Sequence, residues 1–173
     1  MITATSLVRP SALSRERSGK ALSTGWVVNF AVGCTHGCRF CYVARIVESL
    51  NPYRLPQSAF KGGWGSYLYV PENLAELVAR TRWGRWRGET ILMSSTHDPY
   101  LPELYFPHKW PRRILEAALP HGVKFTVLTR SALPLQDLDL YTRYRDQILL
   151  MASIPTLNRS ITDRTEPKAP PPQ

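Results

Sequence analysis

The chain has 173 residues, 43% of them hydrophobic and 20% charged, and it carries a formal net charge of +9. This length and composition suit one globular domain with a real core and exclude a collagen, a coiled coil or a largely disordered chain. No apolar run approaches the roughly 20 residues that cross a bilayer, and the N-terminus lacks the apolar block of a secretory signal, so we expect a cytoplasmic protein with no membrane partner.

Residues 1–24 are predicted to form a disordered basic leader. They are rich in Ser, Thr and Arg, contain one acidic residue, Glu16, and show no apolar periodicity. A mitochondrial presequence has the same character and is an alternative interpretation. The structured domain is therefore expected at residues 25–173.

From residue 25 onwards, apolar runs alternate with amphipathic segments. Strands are predicted at 25–32, 90–96, 123–130 and 147–154, and helices at 71–83, 109–122 and 135–146. Strict alternation indicates a parallel sheet with right-handed crossovers. An eightfold barrel usually needs about 250 residues, so four strand-helix units predict a partial (β/α) barrel whose C-terminal strands are missing and whose fourth strand has an uncovered edge.

All three cysteines, Cys34, Cys38 and Cys41, lie within eight positions directly after the first predicted strand. Thiolates at this spacing in a glycine-containing turn can point at one centre, and three thiolate ligands leave one iron of a four-iron cluster without a protein ligand. A Cys3His zinc site that includes His36 is an alternative, although structural zinc ligands usually come from two segments. Packed, inert cysteines are a second alternative.

The spacing Cys-x3-Cys-x2-Cys, with Phe40 directly before the third cysteine, resembles the signature of the radical S-adenosylmethionine (SAM) enzymes. Residues 29–172 resemble the spore photoproduct lyase-like branch of that superfamily, in which the blocks "NFAVGCTHGCRFCYVAR", "SSTHDPYLPE", "KWPRRILEAALPHGVKFTVLTRS" and "ASIPTLNRSITDRTEPKAPPP" recur in this order. The resemblance implies a partial barrel of the radical SAM type that holds a [4Fe-4S] cluster on the three cysteines. It also implies reductive cleavage of SAM to a 5′-deoxyadenosyl radical, with electrons from an external flavodoxin or ferredoxin.

The same resemblance implies roles for seven further residues. Aromatic rings would lie against the cluster and the adenine, hydroxyls and a carboxylate would contact the aminocarboxyl and sulfonium region or the ribose, and a cation would pair with the SAM carboxylate: Phe40, Tyr42, Ser95, Thr96, Asp98, Arg130 and Ser153. The chain departs from the branch at His97, at Leu104 and at Arg130, which stands in place of a lysine. It also has no fourth cysteine to serve as a hydrogen donor. His97 and Asp98 could form an acid/base pair or a solvated loop pair, and no catalytic residue is assigned.

Most of the net positive charge lies in the first 87 residues, which hold 12 basic and 4 acidic side chains. The stretch 80–87, "RTRWGRWR", interleaves arginines with Trp83 and Trp86, a pattern typical of single-stranded nucleic acid binding and also of a solvated helix end. The leading hypothesis is a radical SAM lyase that acts on DNA or a nucleotide in photoproduct-type repair. The alternative is a truncated, non-catalytic remnant or a zinc- or nucleic-acid-binding module.

Overall fold

The computed structural model describes residues 2–11 and 22–171, which form two sheets flanked by short helices. The strands are β1 (Val8–Pro10), β2 (Trp26–Val28), β3 (Val32–Gly33), β4 (Leu68–Tyr69), β5 (Thr90–Met93), β6 (Lys124–Thr129) and β7 (Ile148–Ala152). The α-helices are α1 (Val43–Leu50), α2 (Leu74–Arg80), α3 (Pro102–Tyr105), α4 (Trp110–Ala118), α5 (Leu138–Arg143) and α6 (Arg159–Thr165).

The main sheet has five strands in the order β1-β2-β5-β6-β7. Strands β2, β5, β6 and β7 run parallel, with Trp26 opposite Ile91 and Phe125 opposite Ile148. The four predicted strands therefore form a parallel sheet. Within the described residues this sheet is open, no closed barrel is present, and the barrel type of the prediction is not confirmed. Strand β7 lies at one edge, where Leu149 is exposed.

The first predicted strand, 25–32, is divided between the two sheets. Strand β2 ends at Val28, and β3 begins at Val32 and pairs with β4 instead. The break is at Asn29, whose side-chain oxygen accepts the backbone N–H of Ser95 at 2.8 Å and whose carbonyl accepts the Tyr53 hydroxyl at 2.7 Å. The sequence did not indicate this break, because Asn29 is a single polar residue within an otherwise apolar run.

The N-terminal segment departs from the predicted disordered leader at residues 8–10. Strand β1 pairs antiparallel with β2, and Leu7 and Val8 are buried. An exposed edge of β2 would leave unpaired backbone groups, so a short apolar segment nearby in sequence covers it despite its polar surroundings. Residues 12–21 of the predicted leader lie outside the described residues.

The predicted helices are present but shorter. Segments 71–83, 109–122 and 135–146 contain α2, α4 and α5, and the last two of these helices adjoin a short 3₁₀ turn. Gly122, with φ of +78°, ends the second of these in a left-handed conformation that glycine adopts without strain. None of the described helices is long and apolar enough to cross a membrane.

The core lies between the main sheet and the helices α2 and α4. Its largest fully buried side chains include Phe30, Phe125 and Ile114. A buried carboxylate joins helices α3 and α4, because Asp137, which is 0% exposed, accepts hydrogen bonds from Tyr105 at 2.8 Å and from Arg112 at 3.2 Å. This packing fixes the loops that follow the strands.

Candidate functional site

The loops at the carboxyl ends of the parallel strands meet around a cavity of about 250 Å³. A parallel sheet brings these loops to one edge, which is where α/β folds bind ligands. The cavity is lined by all ten residues that the sequence singled out: Cys34, Cys38, Phe40, Cys41, Tyr42, Ser95, Thr96, Asp98, Arg130 and Ser153. The structure therefore brings these residues together, while their roles as ligands stay predictions.

The three thiols differ in exposure. Cys34 and Cys38 are buried, Cys41 is partly exposed, and all three are free. Burial raises the pKa of Cys34 to about 12, although hydrogen bonds from nearby backbone groups oppose it, and burial also raises the pKa of Cys38. Without a metal, Cys34 and Cys38 are therefore held as protonated thiols at neutral pH.

In donor type and placement these cysteines fit an iron–sulfur cluster, because three soft ligands line one cavity. Across residues 2–11 and 22–171, no three His, Cys, Asp or Glu side chains are gathered closely enough to hold a metal ion. Thiols that bind a metal lose their protons as they do so, so cluster binding at this cavity would release protons.

The cysteine loop, residues 34–41, is packed backbone to backbone against the segment 62–66. Gly37 has φ of +62°, and a Cβ placed on Gly65 would lie 2.7 Å from the Gly37 Cα. No side chain fits between these two backbones. Glycine at both positions therefore allows the loop to approach its support closely.

Asp98 joins three segments around the cavity. Its Oδ1 accepts hydrogen bonds from the Tyr100 N–H at 2.9 Å and the Thr129 hydroxyl at 2.6 Å, and its Oδ2 accepts the Arg130 N–H at 2.7 Å. The Nδ1 of His36, in the cysteine loop, lies 3.7 Å from the same Oδ2. Both carboxylate oxygens are thus engaged by the protein, so Asp98 orients its neighbours.

Two hydroxyls are held by the segment that precedes the cysteines. Ser95 is fixed by the side chain of Asn29, and the Thr96 hydroxyl donates to the Ala31 carbonyl at 3.3 Å. Sequence reasoning missed Asn29. Its signal was a single amide within an otherwise apolar run.

The two histidines near the cavity are both buried. His97 packs edge-on against Phe30, with ring centroids 4.6 Å apart, and burial lowers its pKa to about 3. Burial also lowers the pKa of His36, and Arg130 adds to this while Asp98 opposes it. The histidine that faces Asp98 is His36, so the suggested pair of His97 with Asp98 is not formed.

Arg130 is held on several sides. Its guanidinium carbon lies 5.9 Å from the centre of the Phe40 ring, and its Nη1 donates to the Ser153 hydroxyl at 3.3 Å. Its Nη2 forms an ion pair with the Oε2 of Glu166, whose side chain is 2% exposed. Sequence reasoning missed Glu166, and its signal was an acid directly before the proline cluster.

The tryptophans of stretch 80–87 serve packing. Trp83 is 3% exposed and its indole N–H donates to the Val78 carbonyl, while Trp86 packs edge-on against Trp26 with ring centroids 5.9 Å apart. A buried Trp83 cannot stack on a base. The structure thus favours the packing interpretation for this residue.

Comparison with known proteins gives relatives that are themselves named as uncharacterized. The chain is 46% identical over 170 residues to the protein ORF301 of Acidianus two-tailed virus, covering 96% of this chain and 55% of that protein. It is 31% identical to MJ0683 of Methanocaldococcus jannaschii, covering 69% of this chain and 40% of that protein. It is 26% identical to Rv2578c of Mycobacterium tuberculosis, covering 90% and 46%.

The chain thus spans about half the length of the curated relatives it matches. No solved structure matches it significantly. The family model that describes the radical SAM superfamily matches residues 28–173, which include the cysteine loop and the strands β5, β6 and β7. This chain belongs to the radical SAM superfamily.

Proposed function

We propose that this chain binds a [4Fe-4S] cluster through Cys34, Cys38 and Cys41, binds SAM beside it, and cleaves SAM reductively. Members of the superfamily typically use both cofactors. The observation that carries the proposal is the cavity of about 250 Å³, which is lined by three thiols from one loop and by the largely buried cation of Arg130 from another.

When bound, the cluster would supply one electron to the sulfonium of SAM, whose sulfur–C5′ bond then breaks to give the 5′-deoxyadenosyl radical. The protein's part is to bind, orient and exclude water. Phe40 and Tyr42 are 55% and 59% exposed at the cavity, so their rings are free to cover the adenine. Ser95, Thr96 and Ser153 offer hydroxyls to the polar parts of SAM.

Arg130 is the proposed partner of the SAM carboxylate. Ser153 and Glu166 already hold two of its nitrogens, and its Nε is buried with no hydrogen-bond partner among the described residues. A guanidinium fixed in this way binds a carboxylate without losing much further side-chain entropy. Asp98 receives the Arg130 backbone N–H and so sets where this side chain begins.

We place the chain in the spore photoproduct lyase-like branch, as a lyase that acts on DNA or a nucleotide in photoproduct-type repair. The order of the four sequence blocks and the basic first half of the chain support this placement. An external flavodoxin or ferredoxin would supply the electron. Residues 25–173 would form the cofactor-binding part of a barrel, in the cytoplasm.

A zinc-binding module is the second candidate. It is favoured by one observation, namely that both ring nitrogens of His36 are buried without a hydrogen-bond partner among the described residues, in the same loop as the thiols. Four donors from one loop could take a tetrahedral metal. Such a module would bind metal without cleaving SAM.

Anaerobic reconstitution with iron and sulfide tests the proposal. We expect about four irons per chain, 5′-deoxyadenosine on addition of SAM and dithionite, and loss of both on Cys38→Ala, because no other cysteine can replace the lost ligand. Arg130→Ala should retain the iron but weaken SAM binding. Asp163→Asn, on the exposed face of α6, is the matched control.

Stoichiometric zinc in protein purified without oxygen, with no iron uptake, would favour the second candidate. Iron uptake without any SAM-induced change in the spin-resonance spectrum of the reduced cluster would remove the SAM site from the proposal.

A further inference from the structure

A short segment that begins at the last residue of helix α6 contacts the cysteine loop. The Arg39 N–H donates to the Thr165 carbonyl at 2.8 Å, and the Lys168 N–H donates to the His36 carbonyl at 3.3 Å. These two hydrogen bonds lie on either side of Cys38. Residues 165–168, here named the clasp, therefore hold the loop at the positions that flank its central thiol.

The clasp also reaches the support beneath the loop. The Lys168 ammonium donates to the Gly65 carbonyl at 2.9 Å, and Gly65 is the residue whose backbone packs directly on Gly37. The cysteine loop is thus contacted by both the segment 62–66 and the clasp, which also contact each other.

Glu166 is the one clasp side chain that is fully buried, and it is paired with Arg130. Glu166 Oε1 and Arg130 Nε are both buried without a hydrogen-bond partner among the described residues. A buried ion pair with unmet hydrogen bonds contributes little net stability, since desolvation offsets the attraction. Such a pair fixes position more than it stabilises the fold.

We propose that Glu166 is a positioning residue that draws the clasp onto the cysteine loop and fixes the direction of the Arg130 guanidinium. Through Arg130 it also sets the ring of Phe40, which packs against that guanidinium. The metal ligands and the cation of the cavity thus depend on one carboxylate about 130 residues further along the chain than the thiols. The part that concerns SAM rests on the proposed function, whereas the clasp itself does not.

Thiol labelling of the metal-free, reduced protein tests the clasp directly. In the wild type, the partly exposed Cys41 should react quickly with a maleimide, and the buried Cys34 and Cys38 slowly. Glu166→Gln should accelerate the slow reactions about tenfold. Asp163→Asn, which breaks only the exposed pair with Arg159 in α6, should label like the wild type. Labelling of Glu166→Gln within twofold of the wild type would overturn the proposal.

A double variant separates positioning from simple charge compensation. If Glu166 only neutralises Arg130, then Arg130→Met with Glu166→Gln should restore wild-type labelling rates, and that result would also overturn the proposal. We expect fast labelling to persist, even though thermal stability recovers once both charges are absent.

If Glu166→Gln fails to fold, the variant Lys168→Met tests the clasp in its place. It removes only the bond to the Gly65 carbonyl, and it should accelerate labelling about threefold; an unchanged rate contradicts the clasp. In the reconstituted protein, Glu166→Gln should release iron to a chelator about tenfold faster and bind SAM about tenfold more weakly. If the wild-type protein takes up no iron, the proposed function is refuted. The role of the clasp would then be tested by the labelling rates alone.

Discussion

The substitution Asp98→Asn tests how strongly the cavity depends on one carboxylate. Three protein donors approach it at 2.9, 2.6 and 2.7 Å. An asparagine can keep its oxygen towards Tyr100 and Thr129, but its amide then faces the Arg130 N–H, donor against donor. A hydrogen bond to a charged group is worth about 1.5–3 kcal/mol and an unmet buried donor costs about 1–3, so we expect a loss of about 2–4 kcal/mol.

Urea unfolding followed by tryptophan fluorescence measures this loss at neutral pH. Asp98→Ala should cost more than Asp98→Asn because it removes all three acceptor contacts. The exposed Asp146→Asn is the control and should stay within about 0.5 kcal/mol of the wild type. If Asp98→Asn also stays within that range, the carboxylate neither holds the three segments together nor orients its neighbours.

Two further predictions concern the surroundings of the cavity. Burial lowers the His97 pKa to about 3 from the ordinary 6.5, so between these values the unfolded chain binds a proton that the native chain does not. The free energy of unfolding should therefore fall by up to about 1.4 kcal/mol per pH unit from pH 6.5 to 3, and His97→Gln should flatten that slope in urea titrations at several pH values. Gly65→Ala should cost about 1–3 kcal/mol, because its Cβ would meet Gly37 at 2.7 Å and its φ is +94°. Gly84→Ala, with nothing within 4 Å, is the control, and equal stabilities would refute the backbone contact.

The parallel sheet and the membership of the cavity could be predicted from the sequence because both follow from local patterns. Apolar runs such as 123–130 identify strands, and parallel strands must deliver their following loops to one edge. The cysteines, Asp98 and Arg130 all lie in loops of this kind. Their convergence on one cavity could therefore be predicted from the sequence. Strand β1 could not be predicted in this way, since Leu7 and Val8 lie in a polar segment. They form a strand because β2 offers an open edge for backbone pairing.

Properties that depend on burial could not be predicted from the sequence in the same way. The sequence suggested that His97 is a solvated loop residue or an acid/base partner of Asp98, yet it is enclosed against Phe30. The difference arises because the break at Asn29 redirects the chain and brings Phe30 over the loop after β5. A single polar residue within an apolar run carries too little signal to predict that change of direction.

The sequence did not identify Glu166 as the partner of Arg130, although a physical argument requires such an acid. The resemblance gave Arg130 a carboxylate partner from SAM, but the chain must fold before it binds any ligand. A guanidinium that is only 12% exposed and unpaired at that stage would cost several kcal/mol, so the folded chain needs an internal carboxylate for it. Asp98 already accepts hydrogen bonds from three donors, none of them the guanidinium. Glu166 is the carboxylate that pairs with the Arg130 guanidinium instead. A buried cation assigned to a ligand therefore indicates a second acid elsewhere in the sequence, and here that acid also brings the clasp onto the thiols.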